Sequence, residues 1–316
     1  MSMPQTSKAF LQIHFCVVLW GFTAILGKMI TLPALPLVWW RMLLVVAALA
    51  LVPRVWRGLR AMPARLLWAY SGIGVLVALH WLTFYAAIKL SNASIGATCI
   101  ALATVFTALV EPWLARSRFS RRDFMLGVAV MPGVALVVGG VPDGMRIGIV
   151  VGAVSALLVA LFGSLNKRLV DHADPLTVTA IELGAGTLAL TALAPLMPLV
   201  LPIFGSTDLL VLPSAHDAWL LLALALACTL LPFALSLVAL RHMSAFAAQL
   251  AVNLEPVYAI GLAIVLLGEQ HELSLQFYTG VAIILIAVFV YPLLGKPRRS
   301  EHPEMLATAE AKSVVE

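Results

Sequence analysis

Ten apolar stretches follow one another along this chain of 316 residues, and their connections alternate between rich and poor in lysine and arginine. Charged residues make up 11% of the sequence and apolar residues 62%, with a mean hydropathy of +1.03. A water-soluble core of this size does not require so much apolar sequence. The pattern therefore indicates an integral membrane protein, and the lipid bilayer is its first expected partner.

The apolar stretches have the length of transmembrane helices, since about 20 helical residues cross a hydrocarbon core about 30 Å thick. Proline residues inside them are compatible with membrane helices, because neighbouring helices satisfy the freed backbone groups. We predict an all-α integral membrane fold with ten transmembrane helices, near residues 11–30, 37–54, 66–88, 93–115, 123–140, 147–166, 175–201, 217–240, 243–267 and 273–294.

The basic residues of the connections predict the orientation. In this arrangement 16 of the 20 lysines and arginines lie on one side of the membrane. Lys28, Lys89 and Arg146 lie on the other side, and Arg41 lies within the membrane. Because short cytoplasmic loops carry an excess of Lys and Arg, both termini are predicted to be cytoplasmic in a multi-pass inner (plasma) membrane protein.

Several function classes are disfavoured. The net charge of +5 follows from the loops, which lack the interleaved aromatic residues of a nucleic-acid surface, so we expect no nucleic-acid partner. The cysteines Cys16, Cys99 and Cys228 all lie inside apolar stretches, without a CxxC or Cys/His cluster. Walker A, HExxH, GxSxG and dinucleotide-binding patterns are missing as well. The sequence therefore predicts no cofactor, no metal site and no enzymatic activity.

An internal repeat is visible at low identity. The run Ala87-Ile88-Lys89 closes the third stretch, and Ala239-Leu240-Arg241 closes the eighth, 152 residues later. Pro36-Leu37 and Pro175-Leu176 open the second and seventh stretches. Ala/Leu-rich helices resemble one another in any case, but the division into five plus five stretches and the loop charges are independent support.

Five helices are an odd number, so the second half must enter the membrane in the opposite orientation. This is the inverted-repeat arrangement of secondary transporters, in which the substrate site lies near the midplane between the halves. We predict a first repeat over 8–142, a second over 147–295, and a disordered cytoplasmic tail over 296–316. Small residues facing lipid could support a homodimer, but nothing in the sequence requires one.

Five groups of residues occur in a fixed order along the chain, and they are Trp20-Gly21, Arg41 after Pro36, Leu254-Glu255-Pro256-Val257-Tyr258, Leu267-Gly268-Glu269 and Gly280. Their order and spacing resemble the EamA-type ten-helix permeases of the drug/metabolite transporter superfamily, over roughly residues 11–295. The stronger part of the resemblance lies in the second repeat, and the first repeat departs from the pattern, with Thr104 where the second has Pro256.

The resemblance implies transport, often export, of amino acids, other metabolites or drugs, usually by proton coupling or exchange. A secondary exporter of small organic metabolites with a midplane cavity is the expected function. A facilitative exchanger is the alternative. A membrane-embedded enzyme acting on lipids is a further one, but it would need clustered catalytic side chains at interfacial depth, whereas the polar residues here are scattered singly.

Placing an ionisable group within hydrocarbon costs free energy, so each such residue is a candidate for a functional or structural role. Glu255 lies about eleven residues into the ninth stretch, roughly 16 Å along the helix and near the midplane. It could carry a proton or oppose the charge of a cationic substrate group, or it could be a structural carboxyl. Asn253 points about 160° away from it on an ideal helix, so one of the two is expected to join helices instead, and Tyr258 is a candidate cavity residue beside Glu255.

The remaining candidates lie on four other helices. Arg41 either holds a substrate carboxylate or snorkels to the interface. Trp20 either forms an apolar cavity wall or packs against a neighbour. His80 is either a structural residue or a proton-linked gate, because an ordinary imidazole titrates between about pH 5 and 8. Glu111 lies near the cytoplasmic end of the fourth stretch, where it could reach water or pair with a loop arginine.

Overall fold

The computed structural model describes residues 5–117, 119–200 and 209–293, which contain fifteen α-helices and no β-strand. The predicted tail 296–316 and the end of the second predicted repeat lie outside these ranges. The helices are α1 (Gln5–Met29), α2 (Ala34–Ala50), α3 (Pro53–Ala61), α4 (Ala64–Leu90), α5 (Ala93–Cys99), α6 (Leu102–Leu114), α7 (Arg121–Gly139), α8 (Arg146–Leu169), α9 (Pro175–Leu193), α10 (Met197–Val200), α11 (Ala215–Ala225), α12 (Leu231–Leu240), α13 (Ala245–Val252), α14 (Glu255–Leu267) and α15 (Leu275–Leu293).

Seven helical segments of the described chain are long and apolar enough to cross a membrane, which confirms an all-helical, multi-pass membrane protein. Helix α2 has 17 residues and passes the same test only together with α3, from which it is bent by 92°. Two further apolar stretches, Phe124–Gly139 within α7 and Leu275–Ala287 within α15, are shorter. The seven segments are Gln5–Met29, Ala64–Leu90, Ala93–Leu114, Asp143–Leu169, Pro175–Leu193, Ala215–Leu240 and Ala245–Leu267.

The arginine-rich stretch 54–65, which connects the second and third predicted transmembrane helices, forms the short helix α3 over most of its length. Pro53 occupies the first turn, where its missing N–H costs no hydrogen bond. The side chain of Val55 is buried, whereas Arg54 is exposed and forms an ion pair with Asp174 at the start of α9. The amphipathic helix thus lies at a steep angle to α2 and keeps its arginines at the end of the bundle.

We call the end of the bundle that carries α3, Arg121 and Arg241 the basic face, and the other end the opposite face. In the first half, basic side chains fasten helix ends at the opposite face. Lys28 Nζ, at the end of α1, donates to the carbonyl of Ser91 at 3.3 Å. Lys89 Nζ, at the end of α4, donates to the carbonyl of Ile30. These contacts explain why two lysines lie on the lysine-poor side.

The second half makes the same contacts at the basic face. Lys167 Nζ, at the end of α8, donates to the carbonyl of Leu240 at 2.7 Å. Arg241, after α12, donates to the carbonyls of Val170 and Ala173 at 3.2 and 2.8 Å. In each half, a basic side chain at the end of the first predicted transmembrane helix bonds to the end of the third, and a basic side chain at the end of the third bonds to the connection that follows the first. Inverted repeats would produce this equivalence.

Two helices are broken partway along, and they lie side by side in opposite directions. Helices α5 and α6 are separated at Ile100 and Ala101, and α13 and α14 at Asn253 and Leu254. Near the breaks Asn253 Nδ2 donates to Thr104 Oγ1 at 2.5 Å, and both side chains are fully buried. Broken helices at the repeat interface are typical of secondary transporters.

Each broken helix supplies the carboxylate that caps the start of the other. Glu269, just after α14, accepts hydrogen bonds from the amides of Ala93 and Ser94 at 2.9 Å each, and from Ser94 Oγ at 2.6 Å. Glu111, near the end of α6, accepts from the first two amides of α13 at 2.9 and 2.8 Å. Because the first amides of a helix have no partner within it, buried carboxylates there satisfy them and complement the helix dipole.

Candidate functional site

A cavity of about 930 Å³, counting its open mouth, lies between the two halves. Helices α1, α2, α4, α8, α12, α13 and α14 contribute to its wall, which is mostly apolar and aromatic. The lining residues with polar side chains, apart from tryptophans, are Thr23, Arg41, His80, Asn166, Ser236, Gln249 and Glu255.

The cavity extends from the middle of the bundle toward the basic face. Leu240 ends α12 and Ala245 begins α13 at that face, and both line the cavity. The residues that fasten the opposite face, Lys28, Ser91 and Glu269, are not among its lining. A molecule in the cavity would thus lie nearer to one face than to the other.

Arg41 is fixed by three aromatic or hydroxyl neighbours. Its side chain is 2% exposed, with Nε donating to Thr229 Oγ1 at 2.6 Å and Nη1 donating to Tyr85 Oη at 2.9 Å. The guanidinium carbon lies 3.9 Å from the ring centre of Trp81, a cation–π contact. Within the described residues Nη2 has no hydrogen-bond partner, so the planar group keeps one free donor edge at the cavity.

A π-helical segment, Leu226–Leu230, positions Thr229 for this contact. Thr229 Oγ1 donates to the carbonyl of Leu224 at 2.6 Å while it accepts from Arg41. Single π-turns inside α-helices frequently occur at functional sites. Sequence reasoning missed Thr229, and the only signal was a threonine three residues before Pro232 in an otherwise apolar helix.

Gly27 allows Tyr85 to reach Arg41. A Cβ atom at Gly27 would lie 2.1 Å from Tyr85 Cε1, far inside van der Waals contact. The tyrosine ring therefore lies directly against the backbone of α1, from where Tyr85 Oη also donates to the carbonyl of Thr23 at 3.4 Å.

Gly27→Ala is expected to displace the Tyr85 ring and break its hydrogen bond with Arg41. Loss of one such bond costs about 1 kcal/mol of the free energy of unfolding. The midpoint of thermal unfolding in detergent measures this change. Gly72→Ala is the control, because a Cβ there meets no atom within 4 Å. An unchanged midpoint in both Gly27→Ala and Tyr85→Phe would show that the bond between Tyr85 and Arg41 does not stabilise the protein.

Glu255 is the first residue of α14, directly after the break, and it lines the cavity while only 6% exposed. Its carboxylate forms no hydrogen bond or ion pair with the residues that the structure describes. Arg41 lines the same cavity, but the two groups are not in direct contact. The cavity therefore holds one cation and one carboxyl group that do not form an ion pair with each other.

His80 and Trp20 also line the cavity. His80 Nδ1 lies 3.0 Å from the carbonyl oxygen of Ser155 and 2.8 Å from its hydroxyl oxygen, and Ser155 Oγ donates to the His80 carbonyl at 3.0 Å. This paired contact joins α4 to α8. A carbonyl partner requires the ring proton on Nδ1, so the imidazole has a defined orientation. Trp20 stands on α1 as part of the aromatic wall.

The structure places Asn253, Tyr258 and Glu111 outside the cavity lining. Asn253 joins the two broken helices through Thr104, the helix-joining role that its angle to Glu255 suggested. Tyr258 is 40% exposed, and its Cβ lies 2.7 Å from where a Cβ of Gly21 would be, so it packs at the crossing of α1 and α14. Glu111 caps α13.

The aromatic wall was not identified as a unit from the sequence. It combines side chains from three helices, which are Trp81, Phe84, Phe162 and Phe233, beside Trp20. Asn166 and Gln249 are further polar lining residues. A hydropathy pattern does not distinguish an aromatic residue facing a cavity from one facing lipid.

The described residues include no group of three or more His, Cys, Asp or Glu side chains that could hold a metal ion. The three cysteines are free and buried in separate places. Cys16 Sγ donates to the carbonyl of Pro232 at 3.3 Å, a contact that joins α1 to α12. The chemistry of the site is therefore carried by Arg41, Glu255 and their neighbours.

Comparison with known proteins agrees with this architecture. A solved crystal structure, described only as that of a protein, shares the fold with a TM-score of 0.64 and 17% identity, covering 91% of this chain and 97% of the other. No curated protein matches the sequence. The model of the EamA-like transporter family matches residues 7–139 and again residues 146–291. These two matches cover most of the sequence, one in each half, and the chain belongs to the EamA-like transporter family.

Proposed function

We propose that ten helical segments cross the membrane, as inverted five-helix repeats over 8–142 and 147–295. The three further apolar segments are α2, Phe124–Gly139 of α7 and Leu275–Ala287 of α15, and each occupies the place of a crossing in the order of the chain. The two family matches and the equivalent lysine and arginine contacts at the two faces support this division.

The basic face is then cytoplasmic in an inner or plasma membrane, with both termini on that side. Strongly exposed tryptophans support the position of the interfaces, because Trp concentrates at the level of lipid headgroups. Trp68 and Trp113 are 76% and 85% exposed near the basic face, and Trp219 is 74% exposed near the opposite face.

The function that the site supports best is secondary active export of a small zwitterionic metabolite with an apolar side chain. The observation that carries this proposal is that the Arg41 guanidinium group and the Glu255 carboxyl group line one aromatic-walled cavity without forming an ion pair. Nη2 of Arg41 is available to a carboxylate and Glu255 to an ammonium group, and both bonds would be charge-assisted. The rings of Trp81, Phe84 and Phe162 would bury the apolar side chain.

Alternating access would expose this cavity first to one face and then to the other. The cavity extends toward the proposed cytoplasmic face, from which an exporter takes up its cargo. At the opposite face, Lys28 and Lys89 hold neighbouring connections together. The carboxylate of Asp217 does the same, since it accepts hydrogen bonds from the amide and hydroxyl of Thr31 at 3.0 and 2.6 Å. Rocking of one half against the other would release these contacts.

Glu255→Gln is expected to weaken substrate counterflow about 10-fold, or roughly 1.4 kcal/mol, because the amide oxygen still accepts from an ammonium group but its charge is lost. The test uses proteoliposomes and a panel of labelled amino acids and amphipathic amines, with and without an imposed pH gradient. Glu272→Gln makes the same chemical change in an exposed residue at the opposite face and is the control.

The possible outcomes separate the candidate functions. Counterflow that is weakened in Glu255→Gln, and accumulation driven by the gradient in wild type, would support a proton-linked carrier. Counterflow without any response to the gradient would favour a facilitative exchanger. Absence of counterflow for every zwitterion and amine in the panel, in a protein that is folded in detergent, would overturn the proposal.

A further inference from the structure

A second carboxyl group lies behind the cavity wall. Glu182 is on α9, seven residues and about 10 Å beyond the first residue of that helix at the basic face. Its side chain is fully buried. Helix α4 packs directly against the backbone of α9 at this residue, since a Cβ at Gly74 would lie 2.0 Å from the Glu182 carbonyl oxygen. The substrate mechanism proposed above does not use this group.

Glu182 is joined to the cavity through Asn166. Asn166 Nδ2 donates to Glu182 Oε2 at 3.3 Å, and Asn166 itself lines the cavity. The other oxygen of each side chain, Glu182 Oε1 and Asn166 Oδ1, is buried without a hydrogen-bond partner in the described structure. Two acceptors left unpaired in one buried contact indicate that a donor is missing between them.

One proton on Glu182 would satisfy both atoms. A carboxylic acid and a primary amide form a closed ring in which the amide N–H donates to one carboxyl oxygen and the acid O–H donates to the amide oxygen. The observed bond supplies the first half of this ring. The second half requires the neutral acid, because an ionised carboxylate has no hydrogen to donate.

The charged and titratable groups around Glu182 do not neutralise it. On α4, Tyr70 Oη donates to the carbonyl of Leu169. On α2, Arg41 is held by Thr229 and Tyr85.

The two nearby cations at the basic face are also bound elsewhere, since Lys167 donates to Leu240 and Arg241 to the connection before α9. No described residue forms an ion pair with Glu182. A buried ionised carboxylate with one long hydrogen bond and no counter-charge is strongly unfavourable.

We propose that Glu182, closed by Asn166, is a proton-binding site of the carrier that is separate from its substrate site. The proposal rests on the transport function proposed above and adds the ion that drives it. The proton is held in the conformation described here, in which α8 and α9 form the acid–amide ring. Separation of these helices, or entry of water beside Asn166, would break the ring and favour release of the proton as H⁺ to water.

This arrangement gives Asn166 a positioning role at the cavity wall. When Glu182 is neutral, both polar ends of the Asn166 amide face the acid. When Glu182 is ionised, the amide oxygen faces a like charge and the amide can turn toward the cavity. A proton bound behind the wall thereby changes the hydrogen-bonding groups that a substrate meets, without competing with it for Glu255.

The proton can be observed directly, without a substrate. Infrared difference spectra of the full-length protein in lipid, recorded across a pH titration, should show the carbonyl stretch of a hydrogen-bonded carboxylic acid near neutral pH. The band should be lost in Glu182→Gln and kept in Glu255→Gln. In Asn166→Leu it should move to higher frequency, because the acid loses its amide partner. A spectrum identical in wild type and Glu182→Gln would overturn the proposal.

Flux measurements test the link to transport. Glu182→Gln resembles the neutral acid in shape and can donate to Asn166 Oδ1, so we expect it to fold and to keep substrate counterflow within about threefold of wild type. Accumulation driven by a pH gradient should be abolished. Gradient-driven accumulation at the wild-type level would refute the proton site.

The two proposals fail in different ways. If no substrate gives counterflow in wild type, the proposed function fails, while the infrared titration still decides whether Glu182 holds a proton. If Glu182→Gln does not fold, the pH titration of wild type against Asn166→Leu decides the question, since only an acid bonded to Asn166 shifts its band between these two proteins.

Discussion

Arg41→Leu is expected to weaken transport of a carboxylate-bearing substrate by roughly 10- to 150-fold, the effect of losing a charge-assisted hydrogen bond of about 1.5–3 kcal/mol. Arg41→Lys should lose nearly as much, because an ammonium group cannot bond Thr229 and Tyr85 in a plane and still present a free edge. Counterflow at a series of substrate concentrations measures both variants.

Arg41→Leu should leave the midpoint of thermal unfolding unchanged or raise it. Thr229 keeps its bond to Leu224 and Tyr85 its bond to Thr23, while the cost of burying a guanidinium group disappears. The substrate's amide derivative, which lacks the carboxylate, is the matched control. An equal loss for the acid and the amide would show that Arg41 does not contact the carboxylate.

Glu269→Ala should give the largest loss of stability among the substitutions considered. The side chain is 1% exposed, and its removal leaves two buried amides at the start of α5 without an acceptor. At about 1–3 kcal/mol for each unpaired donor, the free energy of unfolding should fall by roughly 2–6 kcal/mol. The midpoint of thermal unfolding in detergent, followed by loss of the monodisperse peak, measures the change.

Two further variants, Glu269→Gln and Glu272→Ala, test this prediction. Glu269→Gln retains one oxygen acceptor and should fall between wild type and the alanine variant. Glu272→Ala removes an exposed carboxylate that accepts one bond from Asn92 Nδ2 at 3.0 Å, and it should have little effect. Similar midpoints for Glu269→Ala and Glu272→Ala would mean that the cap does not stabilise the helix pair.

Much of the fold could be predicted from the sequence, because hydropathy, helix length and loop charge act locally. Arg41 and Glu255 could be selected as candidates for the same reason, since an ionisable group within an apolar helix is visible without knowledge of its neighbours. Their meeting in one cavity was an expectation that depended on the two halves facing each other.

The caps and the cavity wall could not be predicted in this way. Glu269 and Ala93 are 176 residues apart, and no local pattern indicates that their helices run side by side. The contact of Thr229 with Arg41 depends on a π-turn, whose extra residue shifts the helix face by an amount that the sequence does not reveal. The contact between Glu182 and Asn166 could not be predicted, because the two residues belong to different helices.

The exchange of carboxylate caps between the halves has a consequence for synthesis of the chain. Helix α5 is made early, but the carboxylate that satisfies its first amides is more than 170 residues further along. The first half must therefore enter the membrane with the start of α5 unsatisfied or bonded to water, and it remains so until Glu269 has been synthesised. Each half completes the other, so we expect that a separately produced first half will be captured by quality-control proteases unless the second half is supplied with it.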